Sequence, residues 1–99
     1  MLIARLQQLR KMLWGRFEQK WTKAEVADLI ERFVDGRTGP YDWDDFESVP
    51  ITNPDLDAVR IECLEIHHKY PPGEAGGYCN EAGRAELRRI AAQLREAAS

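Results

Sequence analysis

The sequence predicts an all-α fold, a compact single domain of four main helices plus one short helix. Apolar residues recur every three or four positions in four segments, which is the period of an amphipathic helix. Helix-start signals precede most of these segments, and no segment shows the alternation and β-branched enrichment of a strand. With 99 residues, 43 % of them hydrophobic and 31 % charged, the chain has the composition of one globular domain with a modest core.

The first predicted helix, residues 1–20, is amphipathic and basic. A narrow apolar stripe runs along it, formed by Leu2, Leu6, Leu9, Leu13 and Phe17. We expect this helix to pack on the rest of the domain or to project from it. A basic helix of this kind is also typical of adaptors at a membrane surface. A homodimer that packs through the apolar stripe is a further alternative. Nucleic-acid binding is not expected, because the chain is acidic overall and has no recognition-helix signature.

The second predicted helix has the clearest start signal in the chain. Thr22 and Glu25 have the spacing of a capping box, and Trp21 and Val26 are placed for a hydrophobic staple. Gly36 follows the helix where a left-handed C′ residue is expected. The apolar face between these signals consists of Val26, Leu29, Ile30, Phe33 and Val34.

Three further signals predict the remaining helices. Asp42 is predicted to cap a short helix. Asn53 is predicted to cap the next main helix, with Pro54 at its first position and Pro71 beyond its end. Asn80 is predicted to cap the last helix. The inward sides of the two main helices are Leu56, Val59, Cys63, Ile66 and Tyr70 in one and Leu87, Ile90, Ala91 and Leu94 in the other.

The cysteines and the N-terminus predict a cytoplasmic protein with reduced thiols. Small secreted domains stapled by disulfides usually carry four or more cysteines, whereas this chain has Cys63 and Cys79 alone. The N-terminus begins apolar and then turns basic, which is the opposite order to a secretory signal. A disulfide between the two cysteines is the alternative for an oxidising compartment.

The net charge of −3 hides an uneven distribution. Residues 1–23 contain six basic residues and one acid, a balance of +5, whereas the rest contains eight basic and sixteen acidic residues, a balance of −8. Residues 41–57 carry no Lys or Arg. Their acids are Asp42, Asp44, Asp45, Glu47, Asp55 and Asp57.

This acidic stretch predicts a surface that binds a basic protein partner. Carboxylates steer the encounter with a cationic surface, and an aromatic side chain, Tyr41 or Trp43, supplies an anchor. The predicted partner-binding residues are Tyr41, Asp42, Trp43, Asp44, Asp45, Glu47, Asp55 and Asp57. The alternative is that Trp43 and Phe46 belong to the core and the acids are helix caps facing water. Both interpretations hold together if the aromatics are buried and only the acids touch the partner.

A second hypothesis is a small metal-binding protein or enzyme around Cys63, His67 and Cys79. The first two are four residues apart on one predicted helix, and the third returns from the next loop. The paired Cys-x-x-Cys of structural zinc and the orienting group of a Cys–His nucleophile are both absent from the sequence. The opposing interpretation is a buried apolar Cys63 beside half-exposed histidines, with no metal and no cofactor. Asp42-x-Asp44-Asp45 lacks the glycine and the distal glutamate of a calcium loop.

In length, helical pattern and the stretch Tyr41-Asp42-Trp43-Asp44-Asp45-Phe46, the chain resembles a class of bacterial proteins. These are the small, acidic, all-helical immunity proteins with which bacteria neutralise their own cationic toxins. The resemblance implies a protein that occludes a toxin through complementary charge and catalyses no reaction. The sequence itself contains no catalytic motif, which agrees with that implication.

Overall fold

The computed structural model describes residues 20–73 and 76–98, which form helices joined by loops. The helices are α1 (Lys23–Val34), α2 (Asp42–Ser48), α3 (Pro54–Leu64), α4 (Ile66–Lys69) and α5 (Glu81–Ala98). The predicted all-α, single-domain fold is confirmed, and these two ranges contain no strand. The predicted N-terminal helix of residues 1–20 lies outside the described residues, apart from Lys20. No helix within the described ranges is both long enough and apolar enough to cross a bilayer.

Helix α1 begins and ends at the residues that the sequence predicts. The backbone N–H of Glu25 donates to Thr22 Oγ1, and the backbone N–H of Thr22 donates to Glu25 Oε1, both at 3.1 Å. At the other end, Gly36 has φ of 71° and its N–H donates to the carbonyl of Phe33. The N–H of Arg37 donates to the carbonyl of Arg32 at 2.7 Å, which completes a Schellman motif.

Two of the predicted boundaries are wrong by a small margin. Asp42 is the first residue of α2 and does not cap it, because its Oδ2 accepts a hydrogen bond from Gly39 N, 2.9 Å away in the preceding loop. The third main helix is interrupted at Glu65 and continues as the single turn α4. Its start is as predicted, since Asn53 Oδ1 accepts from the N–H groups of Asp55 and Leu56.

Helices α1 and α5 are the longest pair in contact, and they run antiparallel. Arg95 forms two hydrogen bonds to Glu31 at 2.8 and 2.7 Å, and Arg88 lies 3.8 Å from Asp35. Residue numbers therefore rise along α5 in the direction in which they fall along α1. The two helices supply most of the core, and their fully inward residues are Val26, Ala27, Leu29, Ile30, Leu87, Ile90, Ala91 and Leu94.

The start of α5 lies very close to the loop that precedes it. Asn80 caps the helix as predicted, because its Oδ1 accepts from Gly83 N at 3.0 Å, and Asn80 N donates to the carbonyl of Tyr70. A Cβ atom added at Gly83 would stand 2.8 Å from the Cβ of Cys79 and 2.9 Å from the Cβ of Tyr70. Only a glycine fits between these neighbours without displacement.

We expect Gly83→Ala to destabilise the protein. Alanine favours a helix over glycine by about 1 kcal/mol, but contacts this short place the clash in the upper part of the usual range, about 2–3 kcal/mol, so the net loss is about 1–2 kcal/mol. Urea unfolding followed by circular dichroism measures the loss. Gly73→Ala is the matched control, because a Cβ at Gly73 meets no atom within 4 Å. Equal stability of wild type and the Gly83 variant would contradict the close contact.

Candidate functional site: the acidic surface of α2

Helix α2 has one buried side and one exposed side. Trp43 is 5 % exposed and Phe46 is 1 % exposed, and both belong to the core. The Trp43 ring stacks on Phe33 with the ring centroids 3.8 Å apart, and Phe46 packs edge-on against Trp21 at 6.0 Å. The sequence predicts Tyr41 or Trp43 as the anchor for a partner. The Trp43 ring is covered on the inner side of α2, so Trp43 is not an anchor on the surface.

The exposed side of α2 carries an aromatic ring and two carboxylates. Tyr41, which directly precedes the helix, is 72 % exposed. Asp44 and Asp45 are exposed, and neither forms an ion pair with any residue in the described ranges. We call these three residues the acidic surface. Asp55, in the first turn of α3, is likewise exposed and forms no ion pair within the described part of the chain.

Two acids of the 41–57 stretch have structural roles. Asp42 bonds to Gly39 N, as described above, and lies 4.0 Å from Arg32 Nη1. Asp57 Oδ1 accepts from Ile51 N at 2.9 Å and from Arg60 Nε at 2.7 Å. Neither carboxylate is a free charge, and the predicted contact of these two residues with a partner stays a prediction.

Arg60 joins the end of α2 to α3. Its Nη1 donates to the backbone carbonyl of Glu47 at 2.7 Å, while its Nε bonds to Asp57. Both side chains are largely covered, at 11 % exposure for Arg60 and 26 % for Asp57. The hydrogen bond from Arg60 is the main cause that holds the pKa of Asp57 below its ordinary value. These hydrogen bonds from Arg60 to Glu47 and Asp57, which we call the clamp, fix the orientation of α2 relative to α3.

Glu47 lies in α2 at a half-buried position, with Asp44 and His67 close enough to affect its charge. Burial is the main cause that raises its pKa above the ordinary value, and the nearby His67 opposes that shift. The charge of Glu47 also contributes to raising the pKa values of Cys63 and Tyr78, after burial as the main cause. Glu47 therefore interacts electrostatically with groups beneath α2 and with Asp44 of the acidic surface, and its contact with a partner stays a prediction.

The structure does not combine Cys63, His67 and Cys79 into a metal site. No group of three His, Cys, Asp or Glu side chains with a metal-binding arrangement occurs within the described residues. Both thiols are free and buried. Burial raises the pKa of Cys63 to about 12, and Cys79 lies against Gly83 at the start of α5. His67 lies against Tyr78, with ring centroids 5.2 Å apart, and its buried Nδ1 has no partner among the described residues.

Sequence reasoning missed Tyr78, which is central to the packing beneath α2. Its ring lies 5.1 Å from that of Phe33, 5.8 Å from that of Trp43 and 5.2 Å from that of His67. Its hydroxyl donates to the carbonyl of Cys63 at 3.2 Å, and burial raises its pKa to about 12. Tyr78 lies in a loop after two glycines, so no helical period indicates its role.

Comparisons with known proteins give no relative for this chain. No protein-family model matches the sequence, and neither a curated protein nor a solved structure shows significant similarity to it.

We expect Asp57→Asn to lower stability at neutral pH by about 1–2 kcal/mol, because it removes the charge that bonds to Arg60. The depressed pKa of Asp57 means that its contribution is present above the ordinary value of 3.8 and is lost as the pH falls through the folded-state value. The difference between wild type and variant should therefore shrink in acid. Denaturant unfolding at a series of pH values measures it.

Asp55→Asn is the control for this measurement, because Asp55 sits in the same helix but forms no ion pair within the described residues. It should cost only the helix-dipole contribution, about 0.3–1 kcal/mol. A constant difference between wild type and Asp57→Asn from pH 7 down to strongly acidic pH would count against the clamp.

Proposed function

We propose that the protein is a cytoplasmic, non-enzymatic binding module that engages a basic protein partner through its acidic surface. The observation that carries this proposal is the exposed Tyr41 beside the unpaired Asp44 and Asp45 on a helix whose other side is core. An exposed tyrosine contributes a large contact area at a low entropy cost, and the neighbouring carboxylates attract a cationic surface. The buried thiols are compatible with a reducing compartment.

The rigidity of α2 favours binding. Trp43 and Phe46 anchor the helix in the core, and Arg60 holds its last turn to α3. A partner that binds the outer side therefore meets carboxylates already held in place. Binding then costs less conformational entropy than the ordering of a loop would.

The state of two potential nucleophiles, Cys63 and Tyr78, supports a role without catalysis. Cys63 is fully buried and its pKa is about 12, so its thiol is protonated at neutral pH. Tyr78 has a pKa of about 12 and its hydroxyl is already bonded to a backbone carbonyl. Neither group is placed to attack a substrate, because a nucleophile has to be ionised and accessible.

The partner class that suits this surface is a cationic toxin, which the chain would inhibit by covering its charged surface. The supporting features are the resemblance to immunity proteins and the excess of acids over bases in the chain. An inhibitor of this kind associates quickly, because long-range attraction guides the two proteins together. Its association rate should fall steeply as salt screens the charges.

The test begins with the partner. The tagged full chain is used to capture proteins from a lysate of its own organism, and the captured protein is identified, purified and mixed with the chain in a stopped-flow instrument. We expect a basic partner whose association rate falls by about tenfold or more between about 50 and about 300 mM salt. A salt-independent rate, or an acidic partner, would overturn the proposal.

Variants then locate the contact. Asp45→Lys should slow association by about tenfold and reduce its salt dependence, whereas Tyr41→Ser should mainly speed dissociation. Glu65→Lys is the control, because it makes the same change in net charge at an exposed residue outside α2. If Glu65→Lys slows association as much as Asp45→Lys does, net charge and not the acidic surface determines binding.

A further inference from the structure

An apolar groove lies between the end of α1 and the start of α5, apart from the acidic surface. Its volume is about 240 Å³. This is somewhat below the ~300–1,000 Å³ of pockets that hold drug-sized ligands, so it suits a small molecule. The residues that line it are Phe33, Val34, Gly36, Tyr78, Cys79, Arg84 and Leu87. None of them belongs to the acidic surface, so the two regions share no residue.

The walls of the groove are mainly apolar and partly aromatic. The rings of Phe33 and Tyr78 meet edge-to-face, with centroids 5.1 Å apart and an interplanar angle of 88°. Leu87 and Cys79 are buried beneath them. Gly36 has no side chain, and a Cβ at that position would meet no atom within 4 Å, so the rim is open there. An aromatic or branched apolar group would find complementary surface in this groove.

A guanidinium stands at the edge of the groove with donors still available. Arg84 uses Nε and Nη2 to bond to Glu81, at 3.2 and 2.6 Å, and its Nη1 forms no hydrogen bond to any described residue. Arg88 follows one helical turn later, and its guanidinium lies 3.8 Å from Asp35, beyond hydrogen-bond distance. Arg37 adds a third cation near the same end of α1. Asp35, Glu81 and Glu31 lie among these three arginines, so the rim is a mixed charge cluster in which Arg84 Nη1 is a donor without a partner in the described ranges.

We propose that this groove binds a small amphipathic carboxylate, with its apolar body against Phe33 and Tyr78 and its carboxylate on Arg84. The apolar walls provide burial for the body, and the remaining N–H groups of the guanidinium provide charge-assisted hydrogen bonds for the carboxylate. Neither feature alone selects such a ligand, since the walls accept any apolar group and an isolated surface arginine accepts any anion. Together they require both properties in one molecule.

The helix offers a matched control for Arg84. Arg89 lies on the same helix, pairs with a glutamate three residues before it and has a similar exposure, 46 % against 42 %. It does not line the groove. Arg84→Gln and Arg89→Gln each remove one charge. The first removes one exposed ion pair, to Glu81, and the second removes two, to Glu86 and to Glu62 of α3. The fold should tolerate both substitutions, because exposed pairs of this kind contribute little stability.

The experiment is a titration of the ¹⁵N-labelled full chain with 4-phenylbutyrate, followed by amide chemical shifts. We expect shifts concentrated at residues 33–36, 78–79 and 84–87, with weak binding of about millimolar affinity. Arg84→Gln should weaken binding by about tenfold, and Arg89→Gln should leave it unchanged. The cationic analogue 4-phenylbutylamine should produce much smaller shifts at the same concentrations.

Several results would overturn the proposal. Equal shifts with the amine would mean that the groove recognises apolar groups without regard to charge. Shifts scattered over the surface, or equal losses in the two arginine variants, would mean that there is no specific site. Tighter binding by a blocked Phe-Glu dipeptide than by 4-phenylbutyrate would assign the groove to a peptide, and concentration-dependent shifts without ligand would assign it to a second copy of the chain. The outcome does not depend on Tyr41, Asp44 or Asp45, so it is separate from the test of the acidic surface.

Discussion

The stack of Trp43 on Phe33 decides which side of α2 faces water. Helix α2 has seven residues, and a helix of that length is marginal by itself. Several acids in its short length also repel one another. The compensating contribution is the burial of Trp43 and Phe46, because each large aromatic buries ~150–250 Å², worth up to about 4–6 kcal/mol. Packing therefore outweighs repulsion between the carboxylates, and it leaves Asp44 and Asp45 outside.

Aromatic packing selects the orientation of α2, and the polar contacts around the helix then hold it in that orientation. Arg60 satisfies the carbonyl of Glu47 at the end of the helix, and Asp57 balances the charge of Arg60 while accepting from Ile51 N. Loss of one member of this set leaves the others partly buried without partners, which costs more than the bond itself contributes. The clamp therefore fixes one geometry for the corner between α2 and α3, because hydrogen bonds are directional and apolar contacts are not.

Local signals in the sequence predict the local features of this fold, and long-range contacts explain where they fail. The capping box at Thr22, the left-handed Gly36 and the cap at Asn53 depend on residues within a few positions of each other, and the structure has all three. The net charge of residues 41–57 is a misleading guide to which carboxylates are unpaired, because Arg60 lies just beyond that segment and pairs with Asp57. Tyr78 could not be predicted, since its packing depends on how the loop before α5 meets α1 and α3.

Phe33 links the two proposed binding regions, because it lines the groove and packs beneath α2. One contact of its ring is the stack on Trp43 that supports α2, and the residue also lines the groove beside Tyr78. A ligand in the groove would add contacts to Phe33 in the arrangement that it already has. A ligand changes the balance between two arrangements only if it binds them with different affinity. A ligand that contacts Phe33 without moving it off Trp43 should therefore raise the stability of the whole domain and leave the affinity of the acidic surface for its partner unchanged.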